Sequence, residues 1–210
     1  MVNKDARGFS LIELLVVVAI ILIISAMAIP QIQRVQTRYK LDTSGHAVAG
    51  LVQQARLEAV RRNQPAYVQF DTTITSPNLV YVNSDKSAYA AGAPGVPVVT
   101  TNGGVTLQTT VPAGLVVDQL NVYLGTGSNA IVEPPGTPIG FNPRGLPCIG
   151  LAANPSVCVQ LDGAKIPAFL WLMTTNGIDY EAVTVTAAGR TKAWQLQKGV
   201  TSCGYSKCWQ

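Results

Sequence analysis

Only a handful of side chains in this sequence are of the types that carry chemistry, and their spacing limits what that chemistry could be. His46 is the only histidine among 210 residues, so neither a catalytic triad nor a histidine-bearing metal site has its usual parts. It is expected to be a surface or packing residue. Gly125, Thr126, Gly127 and Ser128 lack the lysine of a phosphate-binding loop, and no helical pattern follows them, which leaves a plain loop. Asp179 and Glu181, two apart on an expected strand, would share one face. Paired acids of this kind can ligate calcium, but a solvated strand edge carries the same residues. The sequence points to no enzyme and no cofactor.

The four cysteines, Cys148, Cys158, Cys203 and Cys208, all lie in the last third of the chain. Disulfides suit this spacing better than zinc, which more often takes C-x-x-C pairs or cysteines mixed with histidines. Cys148 with Cys158 and Cys203 with Cys208 would each close a short loop, as suits an oxidising compartment. The tail is basic: Arg190, Lys192, Lys198 and Lys207 are interleaved with Trp194, Tyr205 and Trp209, and no acid follows Glu181. Cations among exposed aromatics hold nucleic acid through phosphate contacts and stacking. The alternative is a hairpin turn at Gly189, solvated cations and a Trp194 packed in the core. The formal charge of +4 is too small to announce a nucleic-acid binder by itself.

The most informative ionisable group is Glu13. It sits inside Phe9 to Ile29, a run of 21 nearly all apolar residues, and a helix of that length spans a hydrocarbon core of about 30 Å. A carboxylate there costs several kcal/mol unless it is paired, protonated or close to the interface. A secretory signal peptide would place Lys4 and Arg7 at its start and a small-residue cut at Ala26 to Ala28. The length of the run, Pro30 just beyond that cut and Glu13 itself all count against it.

The elements that must carry these groups follow from periodicity. After Pro30, expected to bend the helix, the apolar positions Val48, Leu51, Val52, Ala55 and Ala59 trace one buried stripe, with Glu58 and Arg62 paired on the exposed side. Thr43, Ser44 and Gly45 are an expected weak point, and Asn63 with Pro65 an expected stop. Beyond Pro65 the sequence turns to short β-rich runs: Ala66 to Phe70, Leu79 to Val82, Val98 to Thr101, Val105 to Thr110, Phe169 to Thr174 and Glu181 to Thr186. Asn102, Gly103 and Gly104 predict a hairpin between the third and fourth of these. Residues 84–97 and 125–138 read as loops by their Gly, Pro and Ser content. At 210 residues there is room for one head and a long appendage.

Gly8, Phe9, Ser10, Leu11, Ile12 and Glu13, followed by an aliphatic run, resemble the processing motif of type IV prepilins. The resemblance implies that a dedicated inner-membrane peptidase cuts after Gly8 and methylates Phe9. It also implies that Glu13 pairs with the N-terminal amine of a neighbouring subunit, a buried charge tolerated because assembly supplies its partner. A second resemblance, carried by Leu51 to Asn63, by Phe141, Asn142, Pro143, Arg144 and Gly145, and by Gly189 and Arg190, is to the GspH and FimT/FimU group of minor pilins and pseudopilins. The middle of the chain and the cysteine-bearing tail after Gly199 depart from that group.

The implied fold is α+β and pilin-like: a long N-terminal helix, membrane-spanning in its first half, packed on a β-rich C-terminal head. Residues 1–8 would be the leader, 9–29 the transmembrane and filament-core helix, 30–63 its amphipathic half, and 64–210 a periplasmic head. The implied partners are other pilin or pseudopilin subunits, the prepilin peptidase and inner-membrane lipid. The implied location is the bacterial inner membrane, then a pilus or pseudopilus. Flanking charge alone would orient the span the other way, since Arg34, Arg38 and Lys40 outnumber Lys4 and Arg7. DNA-uptake members of the FimT group carry a Gly-Arg-x-Arg motif that contributes to DNA binding. Gly189, Arg190, Thr191 and Lys192 resemble it, which makes Arg190, Lys192 and Lys198 candidate DNA contacts.

Overall fold

The computed structural model describes residues 10–71, 79–83, 98–101, 104–108, 131–132, 139–151, 154–159, 169–174, 177–196 and 208–210. Helix α1 (Leu11–Arg62) contains Pro30 and passes through Thr43 to Gly45 without a break. Two hydroxyls that could compete with its backbone are turned back into it. Thr37 Oγ1 donates to Gln33 O at 3.0 Å and Ser44 Oγ to Lys40 O at 2.8 Å. The helix stops where expected: Asn63 takes a left-handed φ of 52°, and Gln64 N donates to Ala59 O at 3.2 Å. Asparagine tolerates that conformation, and the bond satisfies a carbonyl the helix can no longer serve.

The chain forms two compact units, Met1–Tyr39 and Lys40–Gln210. In the first, every described residue through Gln36 is exposed, including the large apolar side chains from Leu11 to Ile29. The second holds two sheets. One runs β3 (Val98–Thr100), β2 (Leu79–Asn83), β1 (Ala66–Asp71), β6 (Ile139–Phe141), β7 (Pro147–Leu151), β8 (Asn154–Val159), with antiparallel neighbours. The other runs β11 (Thr191–Gln195), β10 (Tyr180–Val185), β9 (Phe169–Thr174), β4 (Thr106–Gln108), also antiparallel, with β5 (Ile131–Val132) parallel to β9.

A single core joins these layers. The predicted stripe Val48, Leu51, Val52, Ala55 and Ala59 is buried, and it meets Val68, Val80, Ile139 and Phe141 of the first sheet and Val183 and Val185 of the second. Ala55 and Ala59 are fully covered, and their small side chains allow strands to approach the helix backbone. Burial of each larger residue contributes about 1.5–3 kcal/mol. On the exposed side Glu58 pairs with Arg62 and, at 2.8 Å, with Arg61; the Arg61 hydrogen bond leads in holding its carboxyl below the usual range.

Three sequence expectations change. Val98 to Thr101 and Val105 to Thr110 do not make a hairpin, because β3 pairs with β2 while β4 pairs with β9 in the other sheet. The link between them is a crossing point, where Gly104 has a φ of +90° and Thr101 Oγ1 donates to Val105 O at 3.1 Å. The stretch 125–138 contains β5, and the remainder of it, like residues 84–97, lies outside the described residues. The third concerns Asp179 and Glu181, which do not line a solvated edge together. Every residue of β10 is buried, Glu181 at 1% exposure, whereas Asp179 lies in the turn before it.

Candidate functional site

Two regions position the side chains singled out above. In the first unit, Glu13 sits in the first turn of α1, the one carboxylate of its exposed apolar stretch, among Leu11, Ile12, Leu14, Leu15, Val16 and the aliphatic residues after them. By its length and apolar composition this surface is suited to lipid or to packing against other apolar helices. Gly8 and Phe9 lie outside the described residues.

In the second unit, three segments far apart in sequence meet at Arg56. Its Nη1 donates to Gly189 O at 3.0 Å, and its Nη2 lies 3.5 Å from Ala188 O. Gly145 and Gly189 have left-handed φ values of +73° and +76°. A Cβ on Gly189 would come within 2.7 Å of Gly145 O and 3.2 Å of the Arg56 guanidinium, and one on Gly145 would come 3.1 Å from Arg56 Nε. Only glycine supplies both the φ and the room. The Asn142 to Gly145 segment and the turn at Gly189 are therefore two tight turns packed close together, the second hydrogen-bonded to the helix through Arg56. Sequence reasoning noted all three segments as a family signature but missed their meeting, since the Arg56 to Gly189 contact spans 133 residues.

Each turn is braced internally. Asn142 Oδ1 accepts from Arg144 N at 2.9 Å and from Leu146 N at 3.1 Å, and Gly145 N donates to Asn142 O at 2.8 Å. Across the β10–β11 turn Gly189 N donates to Thr186 O at 2.7 Å, and Arg190 N to Thr186 Oγ1 at 3.1 Å. Arg144 and Arg190 are both exposed on these turns.

The aromatics expected to accompany the basic tail are differently placed. Trp194 is buried at 7% exposure, donates from Nε1 to Thr184 Oγ1 at 2.8 Å and lies under the Lys192 ammonium, 3.4 Å from its ring centre. Trp209 is buried at 1%. It is held by a bridge between Leu196 and Trp209 and by Gln195 N to Gln210 O at 2.8 Å, so that residues 208–210 line the free edge of β11. Arg190 and Lys192 are exposed; Lys198, Tyr205 and Lys207 lie outside the described residues.

Cys148 on β7 is disulfide-bonded to Cys158 on β8, with 5.3 Å between their Cα atoms. Cys208 is buried and disulfide-bonded, and Cys203 lies outside the described residues. His46 is exposed and stands 3.5 Å from Asp42 across one helical turn. Glu181 occupies the notch left by Gly45, where a Cβ would collide with its carboxylate. Its Oε2 has no hydrogen-bond partner among the described residues. Burial, reinforced by the Asp42 charge, pushes its carboxyl up to about 9. Among the described residues no group of three or more His, Cys, Asp or Glu side chains could hold a metal ion.

Comparison with known proteins agrees with this division into an apolar helix and a head. Residues 3–29 match the prokaryotic N-terminal methylation motif. Residues 45–197 match the family described as type II transport protein GspH. Among solved structures the chain is similar to the minor pseudopilin EpsH from the Type 2 Secretion System of Vibrio cholerae, at 13% identity and a TM-score of 0.41, over 73% of this chain and 95% of that one. With more than half its length matched and the methylation motif at its start, this chain belongs to the GspH family of type II transport proteins.

Proposed function

We propose that this chain is a minor pseudopilin, a structural subunit that assembles through its N-terminal helix into the pseudopilus of a type II secretion machine. The observation that carries the reading is the uninterrupted exposed apolar surface from Leu11 to Ile29 with a single carboxylate, Glu13, in its first turn. In the precursor that surface lies in the bacterial inner membrane as a single span, with the head in the periplasm. The prepilin peptidase cuts between Gly8 and Phe9 and methylates Phe9. The helix then exchanges lipid for the same helices of neighbouring subunits, one apolar environment for another, and packing with the Glu13 to amine pairing decides the register. The pairs Cys148 with Cys158 and Cys203 with Cys208 brace the head in the oxidising periplasm.

The rival reading, DNA capture for transformation through Arg190, Lys192 and Lys198, keeps two exposed cations among the described residues but loses two of its stacking aromatics, since Trp194 and Trp209 are buried, while Tyr205 lies outside the described residues. Fractionation of cells that produce the full chain tests the proposal. The chain is expected in inner-membrane extracts and, on overproduction of its companion subunits, in sheared filaments. Recovery as a soluble periplasmic protein alone would overturn it.

A further inference from the structure

Glu181 is the one acid buried in the head among the described residues. It shares a face of β10 with Val183 and Val185, which pack in the core, and it fills the notch that Gly45 leaves in α1. It is 1% exposed, and its Oε2 has no hydrogen-bond partner among the described residues. Its strand neighbours supply no charge, since Met173 of β9 and Gln195 of β11 stand opposite it. Lys192, farther along β11, lies over Trp194, and Asp179 belongs to the turn before β10. Near the notch α1 carries Lys40, Asp42 and His46; Lys40 and His46 are exposed, and Asp42 acts on Glu181 by repulsion. The contact also lies at an end. Leu41, Ser44 and Gly45 are the first buried residues along α1, whereas Val48, Val52, Ala55 and Ala59 beyond them are fully covered. A helical turn at the end of a packed stretch has buried neighbours on one side only, so it opens at lower cost than the middle. A carboxyl in such a notch is tolerated while protonated; once ionised it needs water that the closed notch excludes.

We propose that Glu181 and the Gly45 notch form a proton-controlled clasp: the carboxylic acid lets β10 close on the 41–45 turn of α1, and the carboxylate opens that turn while the stripe from Val48 to Ala59 stays packed. The clasp does not depend on the filament reading. Its folded value of about 9 against an ordinary 4.5 spreads the change across the neutral range, with opening favoured as pH rises between the two and level outside them. Hydrogen–deuterium exchange of the full chain in detergent, read by mass spectrometry from pH 6 to pH 8.5, compares wild type with Glu181→Gln at each pH, so that the intrinsic pH dependence of exchange cancels. Peptides covering residues 41–49 are expected to exchange faster in the wild type, the ratio rising by up to about tenfold per pH unit, while β1 and β6 stay protected. Asp42→Asn, on a half-exposed side chain, removes the repulsion and should slow that exchange at pH 8 part of the way towards the Glu181→Gln rate. A ratio of wild type to Glu181→Gln that is the same at every pH would overturn the proposal. So would exchange of this segment only in step with β1 and β6, which would mean that the head opens as one unit.

Discussion

Replacing Glu181 with glutamine is expected to flatten the pH dependence of this protein's stability and to make the variant harder to unfold than the wild type at pH 8 and above. The carboxyl is buried in the Gly45 notch, with Oε2 lacking a hydrogen-bond partner among the described residues and Asp42 contributing further repulsion. Its folded value of about 9 stands far above the ordinary 4.5. Between those two values the folded chain holds a proton that the unfolded chain has released, so the folded state loses ground as pH rises. The contribution is intact below 4.5, shrinks by about 1.4 kcal/mol per pH unit, and is fully lost above the folded value. At pH 7 the loss is already on the order of 3 kcal/mol. Glutamine removes the ionisation but keeps the shape. Thermal or urea unfolding of the full chain in detergent from pH 5 to pH 9 measures it, and parallel profiles for the two proteins would show that Glu181 does not titrate in this way.

Glu13→Gln is expected to act in the opposite place, on assembly and not on folding. A neutral amide should enter a bilayer at least as easily as a carboxylate, so the precursor should accumulate in the membrane in normal amounts. In the filament it would leave a neighbour's amine without its partner. Removing one member of a buried charge pair costs about 3–5 kcal/mol, enough to deplete the variant from filaments by tenfold or more when wild type competes. Quantitative mass spectrometry of sheared filaments from cells making both forms reads this directly. Equal incorporation would show that the pairing does not operate in this subunit.

The helix and its inner stripe were legible because both are local in origin. A 3.6-residue period placed Val48, Val52, Ala55 and Ala59 on one side, and Asn63 marked the stop with a conformation that few residues accept. What stayed hidden depends on pairing at long range. Asn102, Gly103 and Gly104 carry hairpin chemistry, yet nothing in a turn sequence says which sheet each flanking strand will join, and here they join different ones. Glu181 reads as surface by its charge, and only its alignment opposite Gly45 of the helix places it inside. Arg56, Gly145 and Gly189 were visible as residues of a family signature, but their physical role exists only where three segments converge. Trp194 was open to two readings, and its bond to Thr184 decides for the core.

The assembly role of the N-terminal helix turns on where the mature chain begins. Residues 3–29 carry the prokaryotic N-terminal methylation motif, and the reading of Leu11 to Ile29 as an assembly helix requires that this segment survive processing. Intact-mass and N-terminal peptide mass spectrometry of the chain extracted from membranes should find a first residue Phe9 bearing one methyl group, with Gly8 and everything before it gone. A mature protein starting at Ile29, cut as an ordinary secretory signal would be, would remove Glu13 together with the apolar helix and contradict the assembly role outright.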